Sequence, residues 1–198
     1  MAYSKFTLEE LKQQFNLTLT GRKGKFNHLP EVSPSPFLLE ALEDYVPLAV
    51  AIGSEKARSE LIVAPILVAV KKQLNQQISL FSGIEFNVDT ELGLNGFCDF
   101  IISHSTQQFF IESPVIALVE AKNDNLKSGL AQCIAEMVAA QLFNHRQGNE
   151  IDRVYGVITT GTVWQFLELE GQGVVLDLQE YSVENLPKIL GILSHFVG

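Results

Sequence analysis

The chain begins with apolar residues at helical spacing. Leu8, Leu11 and Phe15 follow one another at intervals of three and four, and Thr7-Leu8-Glu9-Glu10 has the form of a capping box. The sequence therefore predicts a short first helix. Glycines and prolines interrupt residues 16–36, which indicates a linker or an extended arm.

Two further helices are predicted before residue 77. The second begins at Ser35-Pro36 and has Pro47 near its end. The third has Ser54 as its cap, extends to about residue 76 and should be kinked at Pro65. Its second half is apolar on nearly all sides, which is typical of a helix enclosed by other elements.

The apolar residues change to a period of two after residue 77. This pattern predicts strands at about 79–90, 96–104 and 114–122, followed by a helix from Asn125 to about residue 145. The remaining predicted elements are strands near 153–159, 163–169 and 173–178, and a last helix from Glu180 to Phe196 that Pro187 interrupts. This order of elements predicts an α/β or α+β fold around one sheet.

Length and composition indicate one globular domain with an appended segment. With 198 residues and 46% hydrophobic content, the chain can bury a core. We expect residues 1–53 to form a helical and linker extension packed on a core of residues 54–198. No apolar run is long enough to cross a bilayer, and the N-terminus has no signal core. Cys98 and Cys133 are the only cysteines, which suits a reducing cytosol. We therefore expect a cytoplasmic protein, and the short apolar runs predict that it has no membrane contact.

The charge disfavours a polyanionic partner overall but is unevenly distributed. The formal net charge is -9, made up of +1 over residues 1–72 and -10 over residues 73–198. The first part contains a basic cluster, Arg22-Lys23-Gly24-Lys25. This cluster is interpreted either as a solvated loop or as an arm that contacts phosphates.

Three ionisable residues lie in apolar strands and are the main candidates for chemistry. Asp99 lies within the strand 96–104, and Glu120 and Lys122 end the strand 114–122. Glu120 and Lys122 project from the same strand face because side chains alternate. In an antiparallel hairpin that turns near residue 109, paired positions sum to about 219, which sets position 99 opposite position 120. We therefore expect both carboxylates and the lysine to converge.

Such a group of side chains suits a divalent cation. Two adjacent carboxylates resist ionisation unless a cation lies between them, and oxygen ligands suit Mg²⁺. The ion would polarise a phosphodiester, and a neighbouring lysine could orient the attacking water. Alternatively, Glu120 and Lys122 form a plain ion pair in a metal-free structural protein.

The order of these residues resembles the PD-(D/E)XK nuclease superfamily, which has the restriction-endonuclease-like fold. The family pattern is a helical Glu, an Asp on a strand, a Glu-x-Lys on the next strand and a Gln on the following helix. It is matched here by Glu60, Asp99, Glu120-Ala121-Lys122 and Gln132. Residues 156–166 are also similar to a segment of the nuclease domains of type I restriction subunits. The resemblance covers about residues 55–170, with Cys98 in place of the family's proline.

The resemblance implies a fold and a set of residue roles. The fold would be a central mixed sheet, flanked by helices, that opens with an antiparallel three-strand meander. Asp99 and Glu120 would bind Mg²⁺, or Mn²⁺ as a substitute, with the Ala121 carbonyl as a third ligand. The remaining roles are catalytic: Lys122 would position the water, Glu60 would support the metal shell and Gln132 would orient the lysine or the water.

Two functional hypotheses follow from the resemblance. In the first, the protein is a Mg²⁺-dependent endonuclease, a hydrolase that cleaves phosphodiester bonds of DNA. In the alternative, it is a non-catalytic nuclease-like scaffold that binds a protein partner, a second copy of itself or nucleic acid.

Overall fold

The computed structural model describes residues 2–149, 151 and 153–198. In this part of the chain, eight strands form one mixed sheet with helices on both faces. In chain order the strands are Thr18–Arg22 (β1), Ser79–Glu85 (β2), Phe97–Ser103 (β3), Val115–Ala121 (β4), Arg153–Thr159 (β5), Val163–Glu170 (β6), Gly173–Asp177 (β7) and Tyr181–Ser182 (β8). The order across the sheet is β1-β7-β6-β5-β4-β3-β2, and β8 pairs with β6.

Within the described residues, six α-helices surround the sheet. They are Leu8–Gln14 (α1), Pro36–Ile52 (α2), Glu55–Arg58 (α3), Ala64–Gln73 (α4), Leu126–Arg146 (α5) and Leu186–Val197 (α6). The π-helical turn Ser59–Val63 joins α3 to α4. A wider turn at this place fits the sequence, because Pro65 has no N–H to donate and its ring crowds the carbonyl four residues earlier.

The capping residues predicted from the sequence are confirmed at the start of four helices. Thr7 and Glu10 form both bonds of the capping box at the start of α1. The side chains of Ser35, Ser54 and Asn125 accept backbone N–H groups at the starts of α2, α3 and α5. Local side chains therefore determine where these helices begin.

Two predictions about the elements are wrong. The last helix begins at Leu186 rather than Glu180, and β8 and a 3₁₀ turn (Val183–Asn185) occupy the preceding residues. Pro187 lies in the first turn of α6, where a missing N–H costs nothing, so it does not interrupt the helix. Residues 16–36 were expected to be a linker or an extended arm, and within them Thr18–Arg22 forms β1, an exposed edge strand without the apolar alternation that identifies a strand.

Two apolar cores lie on opposite faces of the sheet. On one face, Phe100 and Val119 pack among residues of α2, α4 and α6. On the other face, Ile101 and Leu118 pack against α5 and the N-terminal residues. Both faces of β4 are covered, which explains its nearly continuous apolar sequence.

Strand directions bring several chain segments to one edge of the sheet. β1, β7, β5 and β4 run in the same direction, since β1 is parallel to β7, β4 is parallel to β5, and β6 is antiparallel to both β5 and β7. Their last residues are Arg22, Asp177, Thr159 and Ala121, and antiparallel β3 begins at this same edge with Phe97. We call this the carboxyl edge of the sheet. Among the described residues, no helix combines the length and apolarity needed to cross a membrane.

Candidate functional site

The β3–β4 hairpin brings Asp99 and Glu120 together. β2, β3 and β4 form an antiparallel meander in which Phe100 pairs with Val119 and Ile101 with Leu118. This is the register expected from the sequence, and it sets Asp99 opposite Glu120 at the carboxyl edge. The predicted convergence of the two carboxylates is confirmed.

Glu120 and Lys122 lie on one side of β4 and form an ion pair. The Glu120 side chain is 1% exposed and that of Lys122 is 15% exposed. Burial, together with the charge of Asp99, raises the pKa of Glu120 to about 8, although Lys122 acts in the opposite direction. Burial lowers the pKa of Lys122, but the Glu120 carboxylate outweighs this effect and leaves that pKa raised.

Asp99 is half-buried and is held by the backbone of the neighbouring strand. Its Oδ2 accepts a hydrogen bond from the N–H of Ala121 at 2.8 Å. Burial raises the pKa of Asp99, and the Ala121 hydrogen bond and Lys122 partly offset that rise. Ala121 thus positions Asp99 through its N–H, while the role of its carbonyl as a metal ligand stays a prediction.

Helix α5 supplies two further polar side chains. Gln132 Nε2 donates to Glu136 Oε1 at 3.1 Å, and Glu136 is fully buried. Burial and the charge of Glu120 raise the pKa of Glu136 well above its usual value. The sequence analysis identified Gln132 but missed Glu136. The same criterion that found Asp99, an acid within an apolar run, would have found Glu136 between Ala135 and Met137.

Two buried carboxylate oxygens of this group have no hydrogen-bond partner. They are Oε2 of Glu120 and Oε2 of Glu136, each with almost no accessible surface. Unpaired buried oxygens are costly, so each of these marks a place where a proton, a water or a cation could be accommodated. We call Asp99, Glu120, Lys122, Gln132 and Glu136 the acidic cluster.

The structure does not bring Glu60 into the acidic cluster. Its carboxylate is exposed and pairs with Lys56 Nζ at 2.9 Å, in a groove between α2 and α4. Glu55, in the first turn of α3, contributes instead to the electrostatic field that raises the pKa values of Glu120 and Lys122. Spacing in the sequence could not decide between the two acids, because the orientation of the helix depends on tertiary packing.

Two contacts orient the surroundings of the cluster. Arg58 Nη1 donates to the carbonyl of Thr160 at 3.0 Å and so attaches α3 to the β5–β6 turn. Gly129 lies beneath Lys122, where an added Cβ would be 3.0 Å from Lys122 Cε. The absence of a side chain at position 129 therefore leaves room for the lysine to lie along α5.

The cysteines do not add a nucleophile. Cys98 and Cys133 are buried and unpaired, and burial raises the pKa of both thiols. Both thiols are therefore protonated at neutral pH, which disfavours nucleophilic attack.

The chemistry of the cluster fits a hard cation in part. Carboxylate and amide oxygens are the ligands that Mg²⁺ takes, and two carboxylate oxygens are unpaired. Within residues 2–149, 151 and 153–198, no three His, Cys, Asp or Glu side chains already stand in an arrangement that could hold a metal ion. Binding would require the ammonium of Lys122 to move from Glu120.

The basic cluster of the N-terminal segment lies at the carboxyl edge as well. Arg22 and Lys23 are exposed at the end of β1, whereas Lys25 Nζ pairs with Glu168 at 2.8 Å. β1 is four strand positions from β4, which corresponds to about 19 Å at the usual strand spacing. A cavity of about 800 Å³ lies at the start of α5, with Lys127, Thr160 and Leu178 among its lining residues.

Comparison with known proteins leaves the chain without an assigned family. It matches no model of a known protein family, and no curated protein matches it either.

Proposed function

We propose that this chain is a Mg²⁺-dependent nuclease with a restriction-endonuclease-like core that hydrolyses phosphodiester bonds of DNA. The main support is the acidic cluster, in which two buried glutamates each have an unpaired oxygen beside a lysine and a half-buried aspartate. A structural ion pair alone would need only Glu120 and Lys122. Besides burial, the charge of Asp99 raises the pKa of Glu120, and the charges of Glu120 and Asp99 raise the pKa of Glu136, which is typical of sites that act on charged groups.

Each member of the cluster has a role in this proposal. Asp99 and Glu120 hold the ion, and the Ala121 N–H keeps Asp99 in place. When bound, Mg²⁺ supplies charge stabilisation to the phosphate and acidifies water. Lys122, released from Glu120, orients the attacking water. Glu136 is held by Gln132, and burial raises its pKa; in its protonated form it can donate a hydrogen bond to Glu120.

The carboxyl edge also offers contacts for a DNA backbone. Arg22 and Lys23 lie at the same edge as the cluster, about 19 Å across the sheet. This separation is similar to the width of a duplex, so backbone phosphates could reach both regions at once. Arg22 and Lys23 give this edge a local positive charge, although the chain as a whole has a net charge of -9.

Cleavage of DNA by matched variants tests the proposal. Wild type incubated with Mg²⁺ or Mn²⁺ and either supercoiled plasmid or single-stranded circular DNA should produce nicked or linear products. Asp99→Ala and Glu120→Ala should lose cleavage by at least about 100-fold, the magnitude expected for loss of an electrostatic group at a reacting centre. Glu184→Gln removes an exposed acid that is not a member of the cluster and should cleave like wild type.

Calorimetric titration with Mn²⁺ provides a second readout. Wild type should bind the ion saturably, and Glu120→Ala should not. Cleavage that persists in both alanine variants, after purification that excludes contaminating nuclease, would contradict the mechanism.

Binding without catalysis is the second candidate function. The observation that favours it is the concentration of exposed apolar side chains on α2, on the opposite side of the molecule's sheet from α5. Wild type that neither cleaves DNA nor binds Mn²⁺ would favour this scaffold function.

A further inference from the structure

Helix α2 exposes an apolar stripe that the core does not use. Of the twelve large hydrophobic side chains that are exposed among the described residues, six lie on α2. Phe37, Ala41, Tyr45, Leu48 and Ile52 follow one another at helical intervals and form one continuous stripe. The buried side of the same helix is a different row, which includes Leu38, Leu42 and Ala49.

The stripe borders a groove between α2 and α4. This groove has a volume of about 760 Å³ and is lined mainly by apolar and small side chains, among them Phe37, Ala41, Pro65 and Val68. Phe37 is 76% exposed and Val68 is 56% exposed. The large side chains of the stripe and Val68 together expose roughly 500 Å² of apolar surface, taking about 150–250 Å² for a whole aromatic side chain. The largest apolar patch of a typical monomer has about this size and often has a function.

An acidic and a basic side chain line opposite ends of the groove. Gln73 Nε2 donates to the carbonyl of Ser33 at 3.3 Å, so the end of α4 lies beside the start of α2 and the two helices run antiparallel. The groove therefore has Lys72 near Phe37 at one end and Glu60, in its exposed pair with Lys56, near Tyr45 at the other. Twelve residues of helix separate the two charges, which corresponds to about 18 Å.

We propose that this face is the interface of a homodimer related by a two-fold axis across the middle of the groove. Such an axis places each end of one groove on the opposite end of the other, so that Lys72 of one copy meets Glu60 of the second copy, twice. A two-fold interface must be complementary to itself, and an acid and a base at opposite ends of an apolar groove meet that requirement. Together with the polar residues around it, the apolar patch approaches the area of roughly 800 Å² per partner that stable interfaces bury.

Charge on the exposed flank of α2 disfavours other occupants. Glu40, Glu43 and Asp44 are all exposed on this helix. A nucleic acid or an anionic membrane would be repelled by these acids. A second copy can instead present Lys72 to them.

Sedimentation equilibrium on the full chain tests the dimer. At about 50 µM, wild type should sediment as a dimer, and Leu48→Glu and Phe37→Glu should sediment as monomers. Both positions are at least half exposed, so circular dichroism of the two variants should match that of wild type. Phe109→Glu, on a residue that is 93% exposed in the β3–β4 loop, should leave the dimer intact.

Charge reversal separates the two-fold pairing from a general apolar association. Lys72→Glu or Glu60→Lys alone should weaken the dimer by at least about tenfold, because each puts like charges opposite one another. The double variant Lys72→Glu, Glu60→Lys should restore most of the affinity. Wild type that is monomeric at this concentration would overturn the proposal, and so would a dimer that persists in both Leu48→Glu and Phe37→Glu. A charge-reversed double variant that binds no more tightly than the single variants would also overturn it.

Discussion

Asp177 and the acidic cluster both lie at the carboxyl edge of this sheet, but their carboxylates differ in how many neighbouring groups donate hydrogen bonds to them. Asp177, at the end of β7, is fully buried and accepts four hydrogen bonds. The donors are the N–H groups of Gly24, Phe26 and Gln179 and the hydroxyl of Tyr181, at 2.7–3.3 Å. In the acidic cluster, by contrast, Glu120 and Glu136 each keep an oxygen without a partner.

The difference separates a structural carboxylate from a candidate functional one. Asp177 attaches the N-terminal arm to the sheet, and Lys188 supports the same arm through the carbonyls of Asn27 and Leu29. Both carboxylate oxygens of Asp177 accept hydrogen bonds, so Asp177 requires no further ligand. The acidic cluster has an excess of acceptors and of repulsion, a combination that is retained where a ligand completes it.

Removal of Asp177 should have the largest effect on stability. Asp177→Ala leaves four donors near a buried site without their acceptor, and it should lower the free energy of unfolding by about 4 kcal/mol. Urea denaturation followed by circular dichroism measures the change. Glu170→Ala, on an exposed acid of the adjacent strand β6, should cost less than about 1 kcal/mol. Equal effects of the two variants would remove the distinction drawn for Asp177.

Two glycines within helices give a second contrast between the regions. A Cβ at Gly191 in α6 would lie 2.0 Å from the carbonyl oxygen of Pro30, so Gly191→Ala must displace the arm and should destabilise by about 2–3 kcal/mol. A Cβ at Gly129 in α5 meets the flexible end of Lys122 at 3.0 Å. Gly129→Ala should therefore change stability by at most about 1 kcal/mol, since better helix propensity compensates the contact.

The same pair of variants reports on function. In the proposed nuclease, Gly129→Ala should reduce cleavage by displacing Lys122, whereas a Gly191→Ala protein that remains folded should bind Mn²⁺ like wild type, because the displaced arm contains no member of the acidic cluster. Thermal unfolding, Mn²⁺ titration and plasmid cleavage, measured side by side, distinguish the two effects. Wild-type cleavage by Gly129→Ala would show that the lysine does not depend on this space.

The acidic cluster should make the protein less stable as the pH rises. Burial raises the pKa of Glu120 from 4.5 to about 8, and the pKa values of Asp99 and Glu136 shift in the same direction. Between about pH 4.5 and 8 the folded chain thus holds more protons than the unfolded one. The stability contributed by these groups is complete below this window and is lost as the pH rises through it.

A variant at Glu136 measures this dependence. Glu136→Gln keeps the shape of the side chain and removes its ionisation, so the loss of stability between pH 5 and pH 8 should be smaller than in wild type. Urea denaturation at several pH values provides the slope, with Glu184→Gln as the matched control. A wild-type stability that rises with pH across this window would refute the assignment of raised pKa values.

The smallest effect concerns the choice between Glu55 and Glu60. If Glu55 acts on the cluster, Glu55→Gln should weaken Mn²⁺ binding by a few-fold, consistent with one partly screened charge. Glu60→Gln should leave Mn²⁺ binding unchanged, because its carboxylate pairs with Lys56 outside the cluster. The reverse result would restore the residue that the sequence pattern selected.

The local sequence by itself determined where most helices begin and how the central hairpin pairs. Capping side chains act on neighbouring backbone groups, and the alternation on β3 and β4 specifies one register because a shift would bury the wrong face. Asp99, Glu120 and Lys122 were therefore predictable. Tertiary structure alone decided the pairing of β1 with β7, the burial of Glu136 against Glu120 and the presence of Glu55 rather than Glu60 near the cluster. These contacts join residues far apart in the chain, and their energies depend on how whole elements pack, which no short pattern of residues records.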